Sequence, residues 1–275
     1  MLTAVEYLGA VGVGVTSPQY FRGDDGKMYV VKFQPCGSES KVAVSEWLAA
    51  ELGERLGLPF PAYALMEIDR HLIEPHAHLS TIGMTAGRHF ASCFLGNAVY
   101  ASKINLTKAA NITEMAGIIL FDHIFHNADR AKNKRNILLC PFEEELRIVA
   151  IDNSHLFRSS RWNAGTLARL GRDITVYAAR NYRKLLKDIL VVEDFLPFCE
   201  RIKHISPEQV NHIISNIPVE WLPVEDERHS LAEYVGMRLA MVEEICDRLG
   251  RYIAQHRYRC RWLPLRQQRN KPEFS

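Results

Sequence analysis

Lys32, Glu46, Asp129, Asn136 and Asp152 occur in the order that handling a nucleoside triphosphate would require. Phosphoryl transfer needs a cation on the phosphates, an acid to orient that cation, a carboxylate beside the attacking hydroxyl, and oxygen ligands for Mg2+. Lys32 lies in YVVKF. Strand alternation puts it on the face of Val30, opposite Val31 and Phe33. A cation in an apolar strand needs a partner or a ligand, although an edge-strand lysine that deters aggregation reads the same way. Glu46 lies in VAVSEWLAAEL, close to the apolar face of the helix that follows that strand. Taken alone it is a solvated helix glutamate; taken with Lys32 it is that lysine's partner.

The segment DHIFHNADRAKNKRNILL is more specific. Asp129 is followed by Asn133 and Asn136, then an apolar strand, an acidic turn (PFEEE) and a second strand, VAID, that ends on Asp152. An aspartate, an asparagine and a hairpin ending in a second aspartate form the catalytic-loop and metal-loop order of kinases. In this reading Asp129 positions or deprotonates an acceptor hydroxyl, and Asn136 and Asp152 bind Mg2+. The bland alternative is a polar helix-to-strand connection. Gly12 and Gly14, with Gly9, would let backbone amides approach phosphates. The VTSPQYF that follows them reads as strand, so a strand–loop–strand cover fits better than a dinucleotide turn. A rival uses His123, His126 and Asp129, spaced three apart on a helix, as metal ligands of a phosphohydrolase. That rival leaves Lys32, Glu46 and the glycines without purpose, so core or capping roles suit the histidines better.

The elements that must position these groups follow from pattern. Asp-Gly in GDDGK marks a hairpin between PQYFR and the strand MYVVKF. SESKVAVSEWLAAELGERLG has helical spacing, with a serine at the N-cap and Gly57 past its end. LPFPAYALMEID and HFASCFL read as strands, and residues 70–90 as a loop. From about residue 97 the chain is mostly helical, apart from the hairpin that carries Asp152, with breaks at Pro207, Pro218 and Pro223. The expected fold is α+β in two lobes: a small β-rich N-lobe with one helix over 1–96, an α-rich C-lobe over 97–258, and a flexible basic tail over 259–275.

Composition narrows the classes. About half the residues are hydrophobic and the net charge is +2, so bulk charge does not mark a nucleic-acid binder. Six cysteines without a CxxC pair suggest reduced thiols in a cytoplasmic protein. The N-terminus lacks a basic stretch, and no apolar run reaches the ~20 residues of a membrane span.

At RGDDGKMYVVKF, SEWLAAELGERLGLPFP, GRHFASCFL, FDHIFHNADRAKNKRNILL, VAIDNSHLF and NIPVEWLPVEDERHSLAEYV the sequence resembles the bacterial HipA-like kinases, and more distantly the type II phosphatidylinositol 4-kinases. The resemblance implies a kinase-like fold, Mg-ATP as substrate complex, and transfer to a protein Ser/Thr hydroxyl. A lipid or small-molecule hydroxyl is the next acceptor. By position Lys32 matches the ATP lysine, Glu46 the helix glutamate, Asp129 the catalytic aspartate and Asp152 the metal aspartate. The resemblance also implies an antitoxin-like or regulatory protein partner. Lacking the longer N-terminal extension of full-length HipA toxins, the chain looks like the compact kind. In related sequences the asparagine follows the aspartate more closely than in DRAKNKRN. Alignment on NILL selects Asn136, and alignment on spacing selects Asn133. The longer loop is what a nucleotide-binding pseudokinase would show. Thr16 and Ser17, beside the glycines, are where an inhibitory autophosphorylation would fall.

Overall fold

The computed structural model describes residues 1–14, 16–34, 39–102 and 105–261, without the side chains of residues 180 and 257–261. Cys36, the Cys260 side chain and the tail beyond 261 lie outside the described residues. The chain opens with strands β1 (Leu2–Ala10), β2 (Gln19–Gly23) and β3 (Met28–Lys32), then helix α1 (Val42–Leu56). Strand β4 (Tyr63–Ile68), the short helix α2 (Ala77–Thr81) and strand β5 (Gly87–Cys93) follow. These five strands close into a barrel in the order β1-β2-β3-β5-β4. Closure comes from a parallel pairing of Leu2 with Met66 and Thr3 with Glu67, a long-range contact that the strand pattern does not announce. Residues 70–90, expected as loop, contain α2 and a 3-10 turn. The reason is burial: Ile73, Leu79 and Met84 join Phe21, Tyr29, Val31 and Met66 in the barrel core.

Beyond the barrel come β6 (Val99–Tyr100), α3 (Met115–Ile124), α4 (Ala128–Lys132), β7 (Ile137–Phe142) and β8 (Glu145–Ala150). Strands β6, β7 and β8 form a second sheet in that order. Helices α5 (Ala164–Leu170), α6 (Arg180–Lys184), α7 (Leu196–Lys203), α8 (Pro207–Ser215), α9 (Glu225–Ala240) and α10 (Val242–Arg261) complete the fold. Pro207 begins a helix here, with Ser206 and Gln209 closing a reciprocal cap around it.

Two expectations about α1 meet different outcomes. Gly57 ends the helix in the left-handed conformation, at φ 64°. The N-cap is Lys41 rather than a serine, and no side chain caps it. The helix start is held instead by distant chain: Lys41 N donates to Ser160 O at 2.6 Å, and Lys41 Nζ donates to Trp162 O at 3.0 Å. Its core alliance is also long-range. Trp47, Leu48 and Leu52 belong to the apolar cluster of α3, α7 and α8, not to that of the barrel.

Helix α3 is buried along its whole length and is the axis of that cluster. A Cβ added at Gly117 would lie 2.5 Å from the Phe198 ring and 2.7 Å from Leu58, so this glycine permits the approach of α7. Gly117→Ala should lower stability by up to about 2 kcal/mol in urea denaturation, because overpacking costs ~1–3 kcal/mol and the helix-propensity gain returns only ~1.

Three imidazoles are buried, and burial lowers their pKa: His89 and His123 to about 4, His126 to about 3. The unfolded chain therefore binds protons that the native chain refuses, and stability falls as pH drops through the ordinary histidine range. Asp122, which burial pushes up to about 6, acts in the opposite sense and offsets one of the three. Stability measured by denaturation should thus fall by roughly 2–3 kcal/mol between pH 6 and pH 5. A flat profile there would contradict neutral buried imidazoles.

Candidate active site

A cleft of about 730 Å3 runs between the barrel and the β6–β8 sheet. Its apolar walls are Val11, Val30 and Phe90 on the barrel side and Leu138 and Ile151 opposite. Lys32, Glu46, Asp129, Asn133, Asn136 and Asp152 all line it. Strand alternation explains Lys32: Val31 points into the barrel core, while Val30 and Lys32 point into the cleft.

Lys32 is 8% exposed and sits between two carboxylates. Its Nζ donates to Glu46 Oε1 at 2.5 Å and to Asp152 Oδ1 at 2.9 Å. Burial alone would lower the ammonium pKa, but the two carboxylates raise it well above its ordinary value. Burial likewise works to raise the Asp152 pKa, yet the Lys32 charge and the Ser154 hydrogen bonds hold it far below the usual range. Ser154 Oγ donates to the same Oδ1 at 2.6 Å, so the observed bonds converge on one oxygen and leave Oδ2 to the cleft. Asp152 adopts φ 63°, a left-handed conformation uncommon for a non-glycine residue.

The loop after α4 resolves into a 3-10 turn, Lys134–Asn136. Asn133 caps that turn, its side-chain oxygen accepting from Arg135 N at 3.1 Å. Asn136 Nδ2 donates to Asp129 Oδ2 at 2.7 Å, and Asn136 O accepts from Ile151 N at 3.0 Å. Asn136 therefore reaches both Asp129 and the strand that leads to Asp152. The loop between β1 and β2 hangs over the cleft, with Gly14 and Thr16 on its lining. Gly12 is not among the lining residues, but its φ of 76° gives the loop a bend that a side chain would strain. Ser17 lies in the turn that closes this loop, where its N–H donates to Gly14 O.

Charge on the lining is uneven. Among the described lining residues, Glu46, Asp129 and Asp152 face the permanent cations Lys32 and Arg135, with His155 beside them. A polyphosphate entering such a cleft brings more negative charge, so the donor set suits an oxygen-seeking divalent cation held by Asp152 and Asn136. The histidine rival finds no such chemistry. His123 Nδ1 donates to Ile119 O, and its Nε2 accepts from Tyr177 N at 2.8 Å. His126 bonds Tyr234 Oη and Asp173 O. Both rings are occupied, and among the described residues no three His, Cys, Asp or Glu side chains could hold a metal.

Behind the cleft lies a network that the sequence pattern does not announce. Arg130, fully buried, donates to the Asp122 carboxylate, which also accepts from the Tyr182 hydroxyl. The same guanidinium donates to Asn153 Oδ1 at 2.5 Å and to Asp152 O at 3.3 Å. Asn153 N then donates to Glu46 Oε1 at 2.9 Å. Arg130 thus braces the segment that carries Asp152 and, through Asn153, the partner of Lys32. The available signal was Asp122 itself, a lone charge in the apolar run GIILFDHIF that had to find a buried partner. Arg130→Met should cost about 3–5 kcal/mol in denaturation because it strands that carboxylate. Removing both charges, in Asp122→Leu with Arg130→Met, should recover much of the loss. No recovery would show that the pair is not what carries the cost.

The crystal structure of the Helicobacter pylori proinflammatory kinase CtkA superposes with a TM-score of 0.54 at 14% identity, over 90% of this chain and 94% of that one. Hydra Fam20, solved with sugar, gives 0.50 at 13% identity, over 90% and 87%. Shewanella oneidensis MR-1 HipA, in its complex with HipB and operator DNA, gives 0.46 at 14% identity, over 92% and 67%. The first two show a kinase-like fold. No curated protein matches the sequence. The family described as HipA-like kinase matches residues 4–252, nearly the whole chain, and the protein therefore belongs to the HipA-like kinases.

Proposed function

We propose that this kinase transfers the γ-phosphate of ATP, as its Mg2+ complex, to a protein Ser or Thr hydroxyl. The observation that carries the reading is Lys32 held between Glu46 and Asp152, in one cleft with the hydrogen-bonded pair Asp129 and Asn136. We read the barrel as one lobe and the helical region with its small sheet as the other, with the cleft between them.

Each side chain has a distinct task. Lys32, kept charged by its carboxylates, holds the phosphates. Glu46 fixes Lys32 so that the cation need not reorganise when substrate enters. Asp129 Oδ2 is tied to Asn136, which leaves Oδ1 to orient the acceptor hydroxyl and take its proton. Asn136 offers its side-chain Oδ1 and Asp152 its Oδ2 as ligands. We assign this role to Asn136 over Asn133, whose oxygen is engaged by Arg135 N. Bound there, Mg2+ would neutralise charge on the phosphate oxygens. The apolar walls suit a flat heterocycle. Proximity and charge neutralisation then carry the catalysis, with no covalent intermediate on the protein. Among the described residues no helix is long and apolar enough to cross a membrane.

Asp129→Asn should reduce γ-phosphate transfer by roughly 10²–10⁴-fold and keep ATP-dependent thermal stabilisation. Asp152→Ala should remove the Mg2+ dependence of that stabilisation. Transfer by both variants at the wild-type rate would defeat the assignment.

A further inference from the structure

The net charge of the chain is only +2, yet cations concentrate beside Asp129. Between Asp129 and Glu143 the sequence holds Arg130, Lys132, Lys134 and Arg135 and no acid. Between Asp173 and Asp188 it holds Arg180, Arg183, Lys184 and Lys187 and again no acid. The fold brings the two stretches together: α4 packs on α6, and Asn181 Nδ2 donates to Arg130 O at 2.9 Å. Arg130 is spent on Asp122. Lys132, Lys134, Arg135 and Arg183 are exposed, and among the described residues none of the four enters a salt bridge. Clustering like charges without partners destabilises the folded chain, which is tolerable where a partner brings the opposite charge.

A second observation gives the patch a shape. A cavity of about 400 Å3 opens beside Lys134, with Leu106, Ile137, Leu185 and Ile189 on its walls and Asn181 and Lys184 of α6 at its edge. It backs onto the main cleft. Arg135, Asn136 and Leu138 face the cleft, whereas Lys134 and Ile137 face the cavity. An occupant of the cavity would therefore lie within a few residues' reach of Asp129.

We propose that this face docks an acidic segment of the protein acceptor, with an aliphatic side chain in the cavity and carboxylates on Lys132, Lys134 and Arg183. The proposal rests on the kinase reading above and narrows its substrate to a hydroxyl flanked by acids. The alternatives fit less well. The apolar surface is concave, whereas a bilayer is met by protruding apolar groups. Tyr182, the aromatic residue of α6, is fully buried, so neither helix offers a platform for stacked bases.

The test is fluorescence anisotropy on the full chain with three labelled serine peptides of equal length, whose flanks are rich in Glu and Leu, Gln and Leu, or Lys and Leu. A single-stranded RNA oligomer and phosphatidylserine vesicles serve as further probes. The acidic peptide should bind at least about tenfold more tightly than the neutral one, and weaken as salt rises. Lys132→Glu with Lys134→Glu and Arg183→Glu should abolish that preference while ATP-dependent thermal stabilisation stays at the wild-type value, which also reports that the variant folds. Equal affinity for acidic and neutral peptides, an unchanged preference in the variant, or tighter binding of RNA or vesicles overturns the proposal. Because peptide binding needs no phosphoryl transfer, loss of ATP-dependent stabilisation with peptide preference intact would defeat the kinase reading alone.

Discussion

An ammonium group that is nearly sealed from water can stay charged only if counter-charge is built around it. Lys32 has two carboxylates within 3 Å, one from the helix that follows its strand and one from a strand end 120 residues away. Neither carboxylate could be there unless α1 and the β8 exit were fixed in relation to β3. The condition that keeps Lys32 charged is thus also the condition that joins the barrel to the rest of the chain. Asn153 completes the join, since its backbone N–H and its side chain both face Glu46. A second buried cation, Arg130, has the same role in a deeper layer, with Asp122 as its counter-charge.

These two buried cations divide the labour. Lys32 lies on the cleft wall, and its partners are shared with whatever enters. Arg130 has no exposed surface, so it exchanges nothing with solvent and serves to hold the residues around Asp152 in place. Asp152 needs such support because its left-handed backbone is intrinsically unfavourable. Breaking the inner pair would cost stability first; breaking the outer one would change the charge presented to a ligand.

How much of this was legible depends on the range of each interaction. Lys32 was readable because a strand repeats every two residues, so apolar neighbours fixed its face. Glu46 was readable because the helix follows that strand directly. Asp129, Asn136 and Asp152 followed from their order around one hairpin. The parallel pairing that closes the barrel was not readable, since nothing local in Leu2 or Thr3 specifies Met66 and Glu67 as partners. The N-cap of α1 failed for the same reason: propensity favoured a serine, and tertiary contacts with Ser160 and Trp162 placed Lys41 there instead. Which of Asn133 and Asn136 bonds Asp129 turned on a 3-10 turn too short to carry a periodic signal.

The anchoring of α1 also determines what a ligand must supply. Twelve of its fifteen residues are buried, and Trp47 donates to Ile213 O while Arg201 caps the far end through Leu56 O. Swinging the helix away would expose Trp47, Leu48, Leu52 and Leu56, each worth about 1.5–3 kcal/mol of burial. A ligand shifts an equilibrium only by its differential affinity for the two states, so a disengaged α1 would sit several kcal/mol out of reach of ordinary binding. The Lys32–Glu46 pair is accordingly built into the folded core and is already assembled before anything binds. Among the described elements that line the cleft, the β1–β2 loop is held less firmly: its glycines at positions 12 and 14 have left-handed backbones, and its cleft-facing residues Val11, Val13 and Thr16 have no packing comparable to that of α1.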